Sequence, residues 1–369
     1  MIRTTSLAVL MAAIALPVQA VEGELKLNGY FAGSLRKLET HFEPQEDSWE
    51  GTNNASRVRL TGFVKNDYAR VFGVFDRGLR NDKAGIEQIR QVYGGLDTAY
   101  GTLIGGKTAS EYRLSGERLD PFYDTSAVGF NGLANSEGAS YGLSNLTNGF
   151  SRNMISYSTP ALFGAVRLNG GAFLNDKAAP NDQEDYTGGG SVTLPGGLGE
   201  GSSLTLGAQY LKIKNPAAFV VNNMTRNELL GVAGSPGVSE SYRTYAAYTA
   251  PKFSLAASYE NVDVKAEPDP RKYYFAAGTY AITDSIRFAA SYGYLDFQTG
   301  SPALSGDGFS VGFFRKVNDS VNSYLAMRRV DLDSRGSSTS IAVGLSVDFD
   351  IKLYPFELFG GGGDEAVEE

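Results

Sequence analysis

The sequence predicts an all-β protein, a transmembrane antiparallel up-and-down β-barrel of about sixteen strands with one long loop folded into its lumen. Three features of the chain lead to this prediction. Short segments alternate apolar and polar residues, the connections between them alternate between short and long, and the irregular segment 108–149 far exceeds an ordinary loop. A soluble sandwich has no reason to segregate its loop lengths, whereas an outer-membrane barrel keeps short turns at one end and long loops at the other.

Residues 1–20 have the pattern of a secretory signal peptide. The basic Arg3 precedes an apolar run at 7–16, which is followed by Pro17 and a small-residue end at Ala20. The run is too short to span a hydrocarbon core of roughly 30 Å. We therefore expect cleavage after residue 20, a barrel domain at 21–349 and a C-terminal tail at 350–369.

The composition of the exported chain limits its partners and its chemistry. Without Arg3, 32 basic residues face 41 acidic ones, which gives a net charge of −9. Such a balance argues against nucleic acid as a partner. The chain has no cysteine, which excludes disulfides, zinc-thiolate sites and thiol catalysis. Its 21 Phe, 21 Tyr and 45 Gly against 13 Pro favour strands joined by turns.

The first predicted strand, 23–36, alternates apolar residues such as Leu25 with polar residues such as Lys26. Residues 39–54 are polar, contain the single Trp and the single His of the sequence, and are expected to form an exposed loop. The other predicted strands lie at 56–64, 68–79, 88–96, 102–107, 151–160, 164–174, 186–194, 203–210, 242–250, 253–260, 273–282, 285–297, 308–317, 321–331 and 337–349.

The connections between these strands fall into two length classes. Segments 251–252, 283–284 and 318–319 are tight two-residue turns, whereas 298–307 and 213–239 are long. Closure of the sheet would remove its edges and would pair every backbone polar group inside lipid. The pattern therefore favours a closed barrel over a soluble β protein with exposed sheet edges.

The last predicted strand, 337–349, shows the clearest alternation. Its apolar face is formed by Thr339, Ile341, Val343, Leu345, Val347 and Phe349. Its other face is formed by serine, alanine, glycine and aspartate. We expect the barrel to close at Phe349 and the glycine-rich, acidic end at 360–369 to be flexible. A partner-binding role for 354–359 is an alternative.

Four segments occur in a fixed order along the chain. They are SRVRLTGF at 56–63, RQVYGGL at 90–96, DPF at 120–122 and RNMISYSTP at 152–160. In order and spacing they resemble the general bacterial porins of the Gram-negative outer membrane. The resemblance implies a homotrimeric channel, surrounded by outer-membrane lipid, through which small hydrophilic solutes and ions diffuse passively. The chain departs from the family at its C-terminus, since porins usually end on the terminal aromatic residue of the last strand.

The resemblance also assigns a pore constriction with a basic wall and an acidic loop. The wall candidates are Arg57, Arg59, Arg90, Lys107 and Arg152. The candidates on the inward-folded loop are Asp120, Asp124, Glu111 and Glu117. Opposite charges across a narrow, wet gap orient dipolar solutes and rank ions by charge. Weak selectivity is expected, with a slight anion preference if the loop arginines also face the gap.

The acidic candidates also have a plainer interpretation. Asp120 and Asp124 lie close to Pro121, where aspartate commonly makes turns. The two glutamates have Arg113 and Arg118 nearby in sequence and could pair with them inside the loop. For Arg57 and Arg59, without the motif, a solvated strand face would be the ordinary interpretation.

The sequence carries no enzymatic pattern. A serine hydrolase normally needs a histidine base, and the single His41 lies in a polar segment. One histidine also argues against a histidine metal site, and no cofactor is expected. Two other functions stay open: a substrate-specific channel, and a surface-binding or adhesion barrel that acts through long loops such as 213–239.

Overall fold

A computed structural model shows the chain as an antiparallel sheet that closes into a barrel. The structure describes residues 21–41, 46–54, 56–79, 89–125, 142–144, 151–174, 186–196, 199–212, 238–264, 268–296, 305–333 and 336–358. The predicted signal peptide at 1–20 and nearly all of the loop at 213–239 lie outside these residues. Within these ranges, no helix is long and apolar enough to cross a membrane.

Strands follow one another around the barrel in the order of the sequence, and the first pairs with the last. They are β1 (Val21–Thr40), β2 (Glu46–Asn53), β3 (Arg57–Lys65), β4 (Ala69–Gly78), β5 (Ile89–Thr98), β6 (Gly101–Thr108), β7 (Ser151–Ser158), β8 (Val166–Phe173), β9 (Tyr186–Pro195), β10 (Ser203–Lys212), β11 (Val238–Thr249), β12 (Phe253–Val264), β13 (Arg271–Ala281), β14 (Ile286–Asp296), β15 (Gly306–Lys316), β16 (Val321–Leu332) and β17 (Gly336–Leu358). The helix α1 (Glu111–Glu117) follows β6.

Strands β2 and β3 form one row of the barrel. β1 pairs with β2 up to Asn53 and with β3 from Arg57 onward, so β3 continues the line of β2. The 17 segments therefore make a closed barrel of 16 rows, as the sequence predicts. The prediction of an exposed loop at 39–54 is wrong, because β1 continues to Thr40 and pairs there with Glu46 of β2. Two strands can pair through their backbones without an apolar row of side chains. The polar sequence of this hairpin therefore gave no sign that it forms strands.

The rows with apolar residues face outward and are exposed. In β17, Ile341, Val343 and Leu345 are 47%, 53% and 49% exposed, whereas the intervening Ala342 is 1% exposed. Ser340 on the same inward row is also buried. A soluble protein would bury the branched residues and expose the serine. Exposed apolar rows on a closed barrel are typical of a surface in contact with hydrocarbon.

Asparagine side chains close two of the tight turns at one end of the barrel. The Asn66 carboxamide oxygen accepts hydrogen bonds from the backbone N–H groups of Tyr68 and Ala69 between β3 and β4. Asn318 does the same for Ser320 and Val321 between β15 and β16. Asparagine favours such turns because its side chain reaches the backbone two residues on. The short turn predicted at 318–319 is therefore confirmed.

The last strand runs beyond the predicted end of the barrel. The sequence predicts closure at Phe349, but β17 continues to Leu358 and pairs there with Val21. The register of this pairing shifts beside Leu25 of β1, which leaves an extra residue of β17 as a bulge. The alternation itself continues past Phe349, since Ile351 and Leu353 extend the exposed apolar row, so the predicted end of the strand at a terminal aromatic residue is wrong.

Candidate functional site

Two arginines of the predicted basic wall converge on Asp76 of β4. Arg59 Nη2 lies 2.7 Å from Asp76 Oδ2, and Arg90 Nε lies 3.9 Å from Asp76 Oδ1. Asp76 is completely buried, and the Gln91 side chain adds a longer contact of 3.5 Å. The register of β3, β4 and β5 aligns Arg59, Asp76 and Gln91 on one inward face. We name these residues the Asp76 cluster.

Arg90 reaches the Asp76 cluster through a β-bulge. Strict alternation along β5 would turn Arg90 outward, because its neighbour Gln91 is aligned with Asp76. The register between β4 and β5 shifts between Asp76 and Arg77, which leaves Arg90 as the extra residue. A bulge re-aims the side chain of the extra residue. The irregularity thus brings a second guanidinium to the same carboxylate.

Asp124 joins the segment after α1 to the wall formed by β1 and β3. Its Oδ2 accepts a hydrogen bond from the Tyr30 hydroxyl at 2.7 Å and lies 3.2 Å from Arg57 Nη1. The Arg57 guanidinium also lies over the Tyr30 ring, 4.5 Å from its centroid. The backbone φ of Asp124 is 62°, a left-handed conformation that aspartate tolerates better than most residues. Asp124 is therefore both an ion-pair partner of Arg57 and a turn residue.

A buried ion pair on β11 and β12 holds both ends of the segment 108–149. Arg243 Nη2 lies 3.0 Å from Glu260 Oε2, and the two side chains are 2% and 0% exposed. Tyr112 of α1 donates its hydroxyl to Glu260 Oε1 at 2.5 Å, and Arg243 donates to the Tyr112 carbonyl oxygen at 2.6 Å. Ser144 donates its backbone N–H to Glu260 Oε2 at 2.9 Å. We name these four residues the Glu260 anchor.

The first turn of α1 presents Tyr112 to the Glu260 anchor. The Ser110 side chain caps the helix by accepting a hydrogen bond from the backbone N–H of Arg113 at 3.3 Å. Burial and the neighbouring Glu260 carboxylate raise the pKa of Tyr112 well above its ordinary value. The phenol is therefore a neutral donor that satisfies one oxygen of the carboxylate.

Phe122 packs inside the barrel between the Glu260 anchor and Asp124. The ring is completely buried against Ala289, Ala326 and Ala342 on β14, β16 and β17. Its centroid lies 5.7 Å from that of Phe314. Alanine on three inward rows leaves the space that the ring fills. The contacts of the segment thus run from β11 and β12, past β14 to β17, to β1 and β3, all on inward rows.

Lys107, which the sequence assigns to the basic wall, lies on the outward row instead. Its position in β6 is aligned with Val92, which is 44% exposed, and it shares the face of Leu103, which is 42% exposed. The Lys107 ammonium donates a hydrogen bond to the Ile89 carbonyl oxygen at 2.6 Å. The alternation along β6 decides this orientation, and Lys107 does not belong with the arginines of the wall.

The two glutamates of α1 form ion pairs within their own segment. Glu117 pairs with Arg113 one helical turn away, and Glu111 lies 3.2 Å from Arg118. Spacings of four and seven residues place these partners on one side of a helix or just beyond its end. The sequence alternative of internal pairing therefore describes both glutamates, whose charges are balanced by arginines of the same segment.

Asp120 and Arg152 are the remaining predicted residues, and the structure describes the side chain of Asp120 only. Asp120 is buried, and its Oδ1 accepts a hydrogen bond from the backbone N–H of Phe122 at 3.0 Å, the geometry of a turn. The backbone of Arg152 lies in β7, but its side chain is outside the part of the chain that the structure describes.

Asp76, Glu260 and Tyr30 were not found from the sequence. Counting outward from the tight turns would have found the carboxylates, because residues at equal distances from a hairpin turn are paired. Arg59 is aligned with Asp76 in this way, and Arg243 with Glu260. Tyr30 carries no local signal, since it meets its partner across a sequence separation of 94 residues.

Comparison with protein families gives a match over most of the chain. A family described as Gram-negative porin matches residues 6–335. No curated protein sequence matches the chain.

Solved structures of outer-membrane proteins share the fold. The anion-selective porin from Comamonas acidovorans is 15% identical, with a TM-score of 0.66 over 89% of this chain and 100% of that chain. OmpF of Salmonella typhi in complex with daunomycin is 17% identical, with a TM-score of 0.60 over 88% and 97%. The trimer form of OmpT, an outer membrane protein of Vibrio cholerae, is 17% identical, with a TM-score of 0.60 over 89% and 99%. At these identities the likeness concerns the fold.

Proposed function

Because this chain belongs to the Gram-negative porin family of the bacterial outer membrane, we propose that it is a passive diffusion channel for small hydrophilic solutes and ions, with weak charge selectivity. The family consists of channels and not of enzymes. The proposal adds the mode of transport and the selectivity to this family assignment.

One observation carries the proposal: a single segment contacts both sides of the barrel interior. Tyr112 bonds to Glu260 on β12, and Asp124 bonds to Tyr30 on β1 and pairs with Arg57 on β3. We propose that the whole of 108–149 is a constriction loop folded into the lumen. A segment that crosses the interior narrows it, and water beside the remaining polar wall leaves a path for small solutes.

The charges around Asp124 and Asp76 support weak selectivity. Three arginines, Arg57, Arg59 and Arg90, face these two carboxylates, which leaves one net positive charge. The loop glutamates and their arginines cancel within the segment. A single excess charge in a wet gap biases ion passage without excluding either sign. We therefore propose a slight preference for anions at the constriction.

Planar-bilayer recording of the purified protein tests passive diffusion. A water-filled pore should give stepwise openings whose current rises linearly with voltage. A barrel that inserts and never conducts would contradict the proposed function and would favour a binding or adhesion barrel.

Reversal potentials in a salt gradient test the assignment of the wall. Arg57→Gln and Arg90→Gln should each shift the permeability ratio toward K⁺ by about twofold, because each removes a positive charge from the gap. Arg77→Gln is the matched control, since Arg77 neighbours Asp76 in sequence but lies on the outward row of β4. Equal shifts in all three variants would show that the two wall arginines are not at the constriction.

We also propose a homotrimer and removal of residues 1–20 at export. The trimer form of a structurally similar protein supports the first, and the pattern of Arg3 and its apolar run supports the second. The mass of the detergent-solubilised complex and N-terminal sequencing of the mature protein test them. A monomeric mass, or a mature chain that still begins at Met1, would contradict the respective proposal.

A further inference from the structure

A pocket of about 390 Å³ opens on the inner wall near the tight-turn end of β1, β3, β4 and β5. Its lining includes Phe63, Arg70, Phe72 and Tyr93 on inward rows. Arg70 precedes Asp76 by six residues on the same strand, so it lies roughly 20 Å along β4 from Asp76, and the pocket lining between them extends as far as Val74. The volume falls within the range of small-molecule sites. The Arg70 end of the pocket therefore lies apart from the proposed constriction, although its other end approaches the Asp76 cluster.

Arg70 lies over two neighbouring aromatic rings on the inward face of β3 and β4. Its guanidinium carbon lies 4.5 Å from the centroid of Phe63 and 5.4 Å from that of Phe72. Among the residues that the structure describes, no acidic side chain pairs with Arg70, and the side chain is exposed. The rings fix the plane of the guanidinium and leave N–H groups at its edge for a ligand. A carboxylate can accept two of these N–H groups side by side.

The rest of the pocket wall is aromatic. The rings of Phe72 and Tyr93 meet edge to face, with centroids 6.4 Å apart. Gly95 makes room for this arrangement, because a Cβ atom there would lie 2.3 Å from the Phe72 ring. Aromatic rings on the wall of an aqueous lumen offer an apolar surface to the body of a passing solute.

The acidic side chains of the pocket do not favour a cationic or zwitterionic solute. Glu24 already lies 2.9 Å from Lys26 and 3.7 Å from Lys352. Asp350 lies on β17, three strand spacings from β4 and so roughly 14 Å from the row of Arg70. One small amino acid is too short to bridge Arg70 and Asp350. An anionic group beside an apolar ring fits the arrangement best.

We propose that this pocket is a binding site for small aromatic monocarboxylates, with the carboxylate on Arg70 and the ring against Phe72 and Tyr93. The proposal rests on the channel function above and adds a class of solute that binds transiently to the wall of the lumen. We name the pocket the Arg70 site.

Fluorine NMR of 4-fluorobenzoate, titrated with the folded protein in detergent micelles, tests the Arg70 site without requiring conductance. The fluorine signal should broaden in a saturable manner. Arg70→Gln should weaken binding by about tenfold, because a bidentate, charge-assisted contact is lost. Gly95→Ala, which displaces the Phe72 ring, should weaken it as well. Both variants are first checked for the shift in gel mobility between unheated and heated samples that marks a folded barrel.

Arg287→Gln is the matched control. Arg287 also lies over an aromatic ring, 4.8 Å from the centroid of Phe314, but it is outside the pocket. This variant should bind 4-fluorobenzoate as the wild type does. Equal binding by Arg70→Gln and the wild type would overturn the proposal, as would equally tight binding of trifluoroacetate, which lacks the ring, or of 4-fluorobenzylammonium, which carries the opposite charge.

The bilayer recordings separate this proposal from the proposed function. A protein that conducts but does not bind 4-fluorobenzoate would overturn the Arg70 site alone. A protein that binds it through Arg70 but never conducts would support the Arg70 site and contradict the diffusion channel.

Discussion

Two buried carboxylates organise the charged side chains inside this barrel. Asp76 has Arg59 at 2.7 Å, and Glu260 has Arg243 at 3.0 Å. Both carboxylates are completely buried. An uncompensated buried charge is strongly destabilising, so each carboxylate requires its arginine on a neighbouring strand. The Asp76 cluster shapes the wall, and the Glu260 anchor fixes the segment that contacts it.

Glu260→Gln should destabilise the protein by about 3–5 kcal/mol, because Arg243 would keep a buried charge without its partner. Urea unfolding in detergent, followed by the loss of the folded band on unheated gels, measures the change. Arg118→Gln removes an ion pair from the same segment, but its side chain is 60% exposed, and stability should stay unchanged. Similar losses in the two variants would contradict the role of the Glu260 anchor.

Tyr112→Phe should change how stability depends on alkaline pH. The pKa of Tyr112 is raised above its ordinary value of 10.0 by burial and by Glu260. The neutral phenol therefore stabilises the folded state fully below about pH 10, and this contribution falls at higher pH, where the unfolded chain ionises and the folded chain does not. Wild-type stability should fall more steeply above pH 10 than that of Tyr112→Phe. Parallel curves from unfolding at several pH values would argue against this environment.

Two bulges alter strands whose alternation is otherwise regular. The bulge in β5 turns Arg90 toward Asp76, and the bulge in β17 lies opposite Leu25 and Lys26 of β1, near the end of the strand. In both places one extra residue changes which side chains face inward beyond it. An element of this barrel is therefore defined by its pairing with neighbours as much as by its own sequence pattern.

Truncation of the last strand tests where the barrel closes. A chain ending at Phe349 lacks the pairs that residues up to Leu358 make with β1, and it should fail to give a folded, heat-modifiable band. A chain ending at Phe359 keeps all of these pairs and should fold as the full-length protein does. Folding of the shorter chain to wild-type yield would show that pairing beyond Phe349 is dispensable.

The whole molecule has the reverse polarity of a soluble protein. Branched and aromatic side chains cover the outside, whereas charged pairs such as Arg243 and Glu260 are buried within. Closure of the sheet pairs the backbone of every row, as a barrel that crosses a membrane requires. The tight turns at one end and the segment fixed across the interior complete a design suited to a channel.

Val343→Arg tests the polarity of the wall. Val343 is 53% exposed on the outward row, and arginine there should destabilise the barrel by about 2–4 kcal/mol if hydrocarbon covers this row. Ser346→Arg places the same side chain on the inward row of the same strand, where it meets the aqueous interior, and should cost less than half as much. Unfolding from lipid vesicles measures both. A larger loss for Ser346→Arg would reverse the assignment of the two faces.

The sequence by itself determined the strands, the barrel and the membrane. Alternation is a local property, because each residue of a strand faces either lipid or the interior, and the hydrocarbon selects its own row. The same local pattern also placed Arg57 and Arg59 on one face of their strand, as the register of β3 and β4 shows. It failed at 39–54, where the paired strands are polar, and the strand was ended too early at Phe349 although Ile351 and Leu353 continue the alternation.

The tertiary structure alone decided which charges meet. Lys107 faces outward, Arg90 faces inward, and Tyr112 finds Glu260 across a sequence separation of 148 residues. No local pattern specifies such pairs, because they depend on the register of strands and on a segment that returns across the interior. The energy that selects these pairs is the cost of burying a charge without a partner, and only the register of the closed barrel brings the partners together.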